Sequence, residues 1–221
     1  MSRGSRPSAL AVTLAALAVP VCALAVAIQL LAGTGYVRWM MARPDYPPSA
    51  GFSSEERLAF AVPSTRFIIN QEPHETLAAL DHGGASLYQA GEIAHLLDVR
   101  RVIGRIRYLA LLLAVAALVL LGLRPRALRI GLARSLAAGG MLTLVLLLLL
   151  GLAILSAWDV AFTGMHRLLF ADGTWQFGAD SALIRLFPDR FWYDTALVLV
   201  GLLAAQGLAA LVAGRALRPR D

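Results

Sequence analysis

Residues 136–155 read LAAGGMLTLVLLLLLGLAIL, with no charged side chain and no proline among them. A bilayer hydrocarbon core of about 30 Å is crossed by about 20 apolar residues at the helical rise, so this stretch is expected to be a transmembrane helix. Working outward, three more windows qualify: residues 9–32, 108–123 and 195–213. The whole chain agrees, being 58% hydrophobic and 15% charged, with a mean hydropathy of +0.68; the apolar share of soluble domains is nearer half. The second window is short, but Arg105, Arg107 and Arg124 can lay their stems along lipid and lift their guanidinium groups to the interface. The first follows Arg3 and Arg6, yet its uncharged run of 24 residues exceeds the apolar region of a signal peptide, about 7 to 15 residues. It is therefore expected to stay as a span. Cys22, the one cysteine, has no partner for an internal disulfide and reads as packing within that span. The expected fold class is an all-α integral membrane protein: one domain, 1–221, of four transmembrane helices with two polar insertions.

Orientation follows from arginine, since the chain has no lysine. The short connection 124–135 holds Arg124, Arg126, Arg129 and Arg134 and no acid; with the two termini it makes nine arginines against one acid, Asp221. Short positively charged loops stay in the cytoplasm. Residues 1–8, 124–135 and 214–221 are thus expected inside, and 33–107 and 156–194 outside. The sequence pI near 10.4 then reflects anchoring to anionic lipid rather than nucleic-acid binding.

This topology puts all four histidines and nearly all the acids outside. The first insertion opens RPDYPPSAGFSSEE, where Pro44, Pro47, Pro48 and Gly51 interrupt any helix. Ser53 or Ser54 offers an N-cap, and Glu56, three residues past Ser53, completes a capping box. His74 and His82 stand in loop-like sequence and read as exposed surface histidines. From Leu87 the chain runs without a break into the second span; helical periodicity puts Tyr88, Glu92, His95, Asp98 and Arg105 on one broad face, with His95 and Asp98 neighbours at i, i+3. In the second insertion the third helix is expected to project through Asp159 to His166. Asp172-Gly173 marks a turn, and Asp180 or Ser181 caps a short helix ending before Pro188. Trp158, Trp175, Trp192 and Tyr193 read first as an interfacial aromatic belt, which leaves unexplained a histidine beside Arg167 with Asp172 and Asp180 following.

Absent motifs narrow the chemistry. There is no G-x-S-x-G, H-E-x-x-H, P-loop or glycine-rich dinucleotide fingerprint. The span interiors carry few polar groups, mainly Gln29 and Gln206, which suit hydrogen bonds between helices better than a transport path. What remains is a site at the outer interface built from His95 and His166, whose natural substrate is a lipid or lipidated group. Two widely spaced histidines are a thin pattern for zinc. A metal-dependent hydrolase using them, or a four-helix scaffold, stand as alternatives.

The segments GEIAHLLDVRRV (91–102) and MHRLLFADGTWQFGADSALIRLFPDRFWYD (165–194), with FSSEERL (52–58) and the four spans, resemble the lipoprotein intramolecular transacylase family, Lit, four-span bacterial membrane proteins. The stretch 70–85 departs from that pattern. The resemblance implies an enzyme of the bacterial cell membrane that acts on diacylated lipoproteins. It would move the sn-2 acyl chain of a diacylglyceryl-cysteine to that cysteine's α-amine, giving a lyso-form lipoprotein, with His95 and His166 catalytic. Bottom-up chemistry is compatible: an α-amine of pKa about 7.7 to 8.0 needs a base poised near 7, the range of histidine. His95, oriented by Asp98, is expected as base and His166 as oxyanion or leaving-group partner, with the two roles exchangeable. Arg101 or Arg167 could also face the oxyanion. Asp180 is expected to orient a histidine and Trp175 to wall the site. No metal and no cofactor is expected.

Overall fold

The computed structural model describes residues 7–46, 51–123 and 125–218. Arg3, Arg6, Pro47, Pro48, Arg124, Arg220 and Asp221, and the side chain of Arg126, lie outside the described residues. Nine helices run α1 (Ala9–Leu31), α2 (Thr34–Met41), α3 (Ser54–Ile68), α4 (Glu75–Ala78), α5 (Ala90–Gly122), α6 (Leu128–Ser156), α7 (Trp158–Leu169), α8 (Ala182–Leu186) and α9 (Asp189–Ala216) among those residues. A two-stranded antiparallel hairpin, β1 (Asp81–His82) with β2 (Ala85–Ser86), precedes α5. Helices α1, α5, α6 and α9 are long and apolar enough to cross a membrane. Their backbone amides and carbonyls pair within each helix, which is what hydrocarbon requires of a spanning segment. Leu111, Leu118, Leu148 and Leu149 are all more than 60% exposed on them, the surface a bilayer covers.

The chain divides into two compact units. The first takes its described residues from α1, α5, α6 and α9. Here α6 approaches its neighbours through glycines. A methyl group at Gly140 would stand 2.5 Å from the Gly207 carbonyl oxygen and 2.6 Å from the Leu211 nitrogen of α9. One at Gly139 would stand 2.6 Å from the Ala16 carbonyl oxygen of α1. Pro20 in α1 has no N–H to give that Ala16 carbonyl, so the bare face of Gly139 meets the one turn of α1 that lacks a ladder bond. Side by side with these contacts, Ala11 and Ala15 pack against Ala117 and Leu121 of α5. Cys22 Sγ reaches the Ala110 carbonyl at 3.6 Å, and Gln206 Nε2 donates to the Ala23 carbonyl at 3.3 Å. Small residues and single polar bridges of this kind hold helices together where lipid removes the hydrophobic drive.

The second unit comprises residues 28–104 and 153–198 and has a core of its own. Val37, Met40, Phe60, Phe67, Leu77, Tyr88, Leu186 and Phe191 are buried in it together. Ser53 caps α3: its hydroxyl accepts from the Glu56 amide at 3.1 Å, and Glu56 Oε2 accepts from the Ser53 amide at 2.7 Å. Such a cap contributes about 1 kcal/mol. Ser181 caps α8, accepting from the Ile184 amide at 3.3 Å.

One expectation fails in this unit. The third spanning helix does not continue to His166 but stops at Ser156, and Ala157 (φ −157°, ψ 68°) separates it from α7. Ala157 donates its N–H to Ala153 and accepts from Ala161, each at 3.0 Å, so one residue carries a ladder bond of each helix. The break has a sequence reason. Residues 136–155 are apolar all round, whereas α7 buries His166 on one face and exposes Val160 and Leu168 on the other; two such patterns bury different faces.

Replacing Gly140 by alanine is expected to destabilise the detergent-solubilised protein by about 1–3 kcal/mol through overpacking, seen as a lower midpoint for loss of its monodisperse state on heating. The same change at Gly151, which meets nothing within 4 Å, is expected to be neutral or mildly stabilising because alanine is the better helix former.

Candidate functional site

The site begins with the start of α5. Glu92 is 2% exposed, and both its oxygens accept backbone bonds: Oε2 from the Gln89 amide at 2.8 Å, Oε1 from the Leu183 amide of α8 at 2.8 Å. A buried carboxylate is tolerated when its lone pairs are met by such donors. It ties the first turn of α5 to α8 and sets the azimuth of the next turn, which carries His95.

His95, also buried, meets His166 from the last turn of α7. The two rings lie 6.1 Å apart between centroids and within 24° of parallel. Aromatic side chains enclose them. Phe170 lies 4.9 Å from His95 and 5.5 Å from His166, Phe177 5.6 Å from His95, and Phe162 4.2 Å and Trp175 4.8 Å from His166. His166 Nδ1 is 2.9 Å from the Phe162 carbonyl oxygen. A carbonyl only accepts, so Nδ1 carries the proton in the neutral ring and Nε2 keeps its lone pair. His95 Nδ1 and Trp175 Nε1 are buried and make no hydrogen bond.

Both imidazoles lie outside the apolar stretch of α5, which starts only after Arg100, Arg101, Arg105 and Arg107. Burial pushes the His95 pKa down to about 4, helped by the neighbouring His166 and opposed by Asp98. Burial also lowers that of His166, against the raising effect of the Phe162 carbonyl. Both rings are therefore neutral at pH 7.

Other candidate residues fall elsewhere. Asp98 directs its hydrogen bond away from His95: its Oδ1 accepts from Arg101 Nη1 at 2.7 Å. Arg101 sits at i+3 and is always charged, so it is the stronger partner than a buried neutral ring. Arg101 and Arg167 are exposed, and Arg101 is engaged by Asp98. Tyr88 is buried in the core, its hydroxyl 2.7 Å from that of Ser64. Asp180 is exposed and, with Glu92, His82 and Arg185, lines a separate cavity of about 160 Å³. His74 is exposed beside Glu75, 3.2 Å away. His82 departs from the surface reading. It is half-buried, with its ring 4.9 Å from Phe52 and 5.9 Å from Phe60 and its Nε2 3.6 Å from Glu56. The phenylalanines of the second insertion read from sequence as part of the aromatic belt, yet Phe162, Phe170 and Phe177 pack on the two imidazoles; Phe162 and Phe170 stand at i−4 and i+4 of His166, the spacing that puts them on its face. Among the described residues no group of three or more His, Cys, Asp and Glu side chains is placed to hold a metal ion, and the aromatic surround offers the two imidazoles no third ligand.

The family model of the lipoprotein intramolecular transacylase Lit matches residues 13–192. An uncharacterised protein of Aquifex aeolicus is 27% identical over 187 residues, 81% of this chain and 81% of that one. A solved structure of the membrane-integral lipoprotein intramolecular transacylase Lit from Bacillus cereus is 17% identical, covers 94% of each chain, and superposes with a TM-score of 0.76. A variant of that protein with one histidine replaced by arginine gives 0.71 at 17% identity, covering 94% of this chain and 90% of the other. The fold is thus that of a multi-pass integral membrane protein.

The direction of the His95 shift sets an expected titration. An imidazole whose folded pKa lies below its ordinary 6.5 stays neutral in the fold while the unfolded chain takes up a proton. Acid therefore costs the fold stability as pH falls from about 6.5 to about 4, and costs no more below that. Ring nitrogen NMR of histidine-labelled protein, assigned by His95→Ala and His166→Ala, is expected to show His95 still neutral at pH 6 with a midpoint near 4. A midpoint at or above 6.5 would mean that the ring is solvated.

Proposed function

The chain belongs to the lipoprotein intramolecular transacylase (Lit) family, and we propose that it moves the sn-2 acyl chain of a diacylglyceryl-cysteine lipoprotein onto that cysteine's own α-amine, leaving a lyso-form lipoprotein. The observation that carries this reading is the enclosed pair of neutral imidazoles contributed by α5 and α7. Amine and ester belong to one substrate, so proximity is largely built in, and the protein has to supply proton transfer and charge stabilisation.

The reaction balances with those two groups alone. The neutral amine nitrogen adds to the ester carbonyl carbon, whose π pair moves to oxygen; the nitrogen becomes an ammonium in a tetrahedral intermediate. His166 Nε2, free because Nδ1 is bonded to the Phe162 carbonyl, takes the ammonium proton. The carbonyl re-forms, the bond from carbon to the glycerol oxygen breaks, and the imidazolium returns the proton to that oxygen. An amide and a free hydroxyl result. Burial, which lowers the His166 pKa, makes its imidazolium a stronger acid, which suits delivery to an alkoxide. His95 donates one ring N–H to the carbonyl oxygen as it becomes negative. This exchanges the roles first expected of the two rings. The apolar ring surround shields these steps from water that would otherwise hydrolyse the ester.

The arginine asymmetry supports a cytoplasmic placing of both termini and an extracytoplasmic site, where diacylated lipoproteins present their lipid. Expression in bacteria that make only diacylated lipoproteins is expected to yield lyso-form lipoprotein by mass spectrometry, with at least about 10²-fold less product from His95→Ala and His166→Ala. In vitro the rate is expected to rise from pH 6 to 8 as the substrate amine, pKa about 7.7–8.0, loses its proton. A rate that instead rises through pH 4 and is flat from 6 to 8 would contradict attack by the free amine.

A further inference from the structure

The indole of Trp175 is the anomaly of the site. Its Nε1 is buried and has no hydrogen-bond partner, although protein interiors leave very few N–H groups unmet. An indole N–H can only donate, so whatever meets it must present an acceptor. The loop before it is built for this placement. Gly173 takes φ +80°, and Thr174 sends both its amide and its hydroxyl to the Ala171 carbonyl, at 3.2 and 2.8 Å. The chain thereby doubles back and lays the indole 4.8 Å from the His166 ring at 33°. Apart from His95, the other rings around His166, from Phe162 and Phe170, are apolar.

We propose that Trp175 Nε1–H is a donor to the reacting carbonyl: it binds the ester oxygen of the substrate and, beside His95, holds the negative charge that oxygen carries when the amine adds. This rests on the transacylase reading and deepens it. A neutral donor stabilises the oxyanion without protonating it, so the proton traffic stays with His166. The indole makes and breaks no covalent bond. Its contribution grows as charge develops, which is the condition for accelerating the chemical step rather than binding alone.

Trp175→Phe keeps a ring against His166 and removes the donor. With purified protein and a synthetic diacylglyceryl-cysteine lipopeptide, its kcat is expected to fall about 10²–10³-fold, with KM and the pH profile of the wild type. The second measurement uses the wild-type chain. The Trp175 indole N–H resonance, assigned by elimination with Trp39→Phe, Trp158→Phe and Trp192→Phe, is expected to move downfield when the N-acyl lipopeptide product is added. A wild-type kcat for Trp175→Phe, a loss confined to KM, or an indole resonance that the product leaves in place would overturn the assignment. Failure of the wild-type protein itself to transfer an acyl chain would overturn the transacylase reading, and this role with it; an active wild type beside an equally active Trp175→Phe would sink only the indole.

Discussion

Glu92 holds two chain segments with one buried carboxylate, accepting from the Gln89 amide and from the Leu183 amide. A carboxylate at 2% exposure would be strongly disfavoured without such donors, and the backbone amides of Gln89 and Leu183 would be costly without it. Together they register the start of α5 against α8. His95 is one turn further along α5, and Phe177, which packs on His95, lies just before the Ser181 cap of α8. The position of one imidazole and of part of its surround thus follows from a buried acid that clasps two backbone segments.

The second consequence of burial is electrostatic. Enclosing two imidazoles in phenyl and indole rings removes the water that would stabilise either cation, and His166 further disfavours protonation of His95. Both are neutral, with tautomers set by what each nitrogen can reach. For His166 that is a helix carbonyl four residues back, a local bond any histidine in the last turn of a helix could form. What makes it useful is that the same carbonyl leaves Nε2 as the lone pair. An acid such as Asp98 placed against the ring would have favoured the cation instead; its pairing with Arg101 keeps that charge at the margin.

Much of this architecture was legible from the residues. Residues 136–155 read as a span, because a run of leucine on every side needs lipid or a deep core around it, and about 20 such residues match the thickness of a bilayer. Ser53 with Glu56, Ser181, and Asp172-Gly173 are local devices whose bonds reach three residues or fewer, so their chemistry is written in adjacent positions. His95 stands out on the polar face of its helix, and His166 as a polar residue that an interfacial aromatic belt does not explain. The break at Ala157 was hidden because alanine carries no stop signal; it arises where the buried face changes.

Sequence alone therefore determined the four spanning helices, the caps and the turns, since all of these depend on composition or on neighbours along the chain. Tertiary structure decided that Asp98 belongs to Arg101, that Glu92 is a structural clasp, that His82 lies against Phe52 and Phe60, and that Trp175 keeps an unpaired N–H beside His166. Each of those outcomes is a competition among partners from separate segments, settled by burial and distance, and neither quantity exists until the chain has folded.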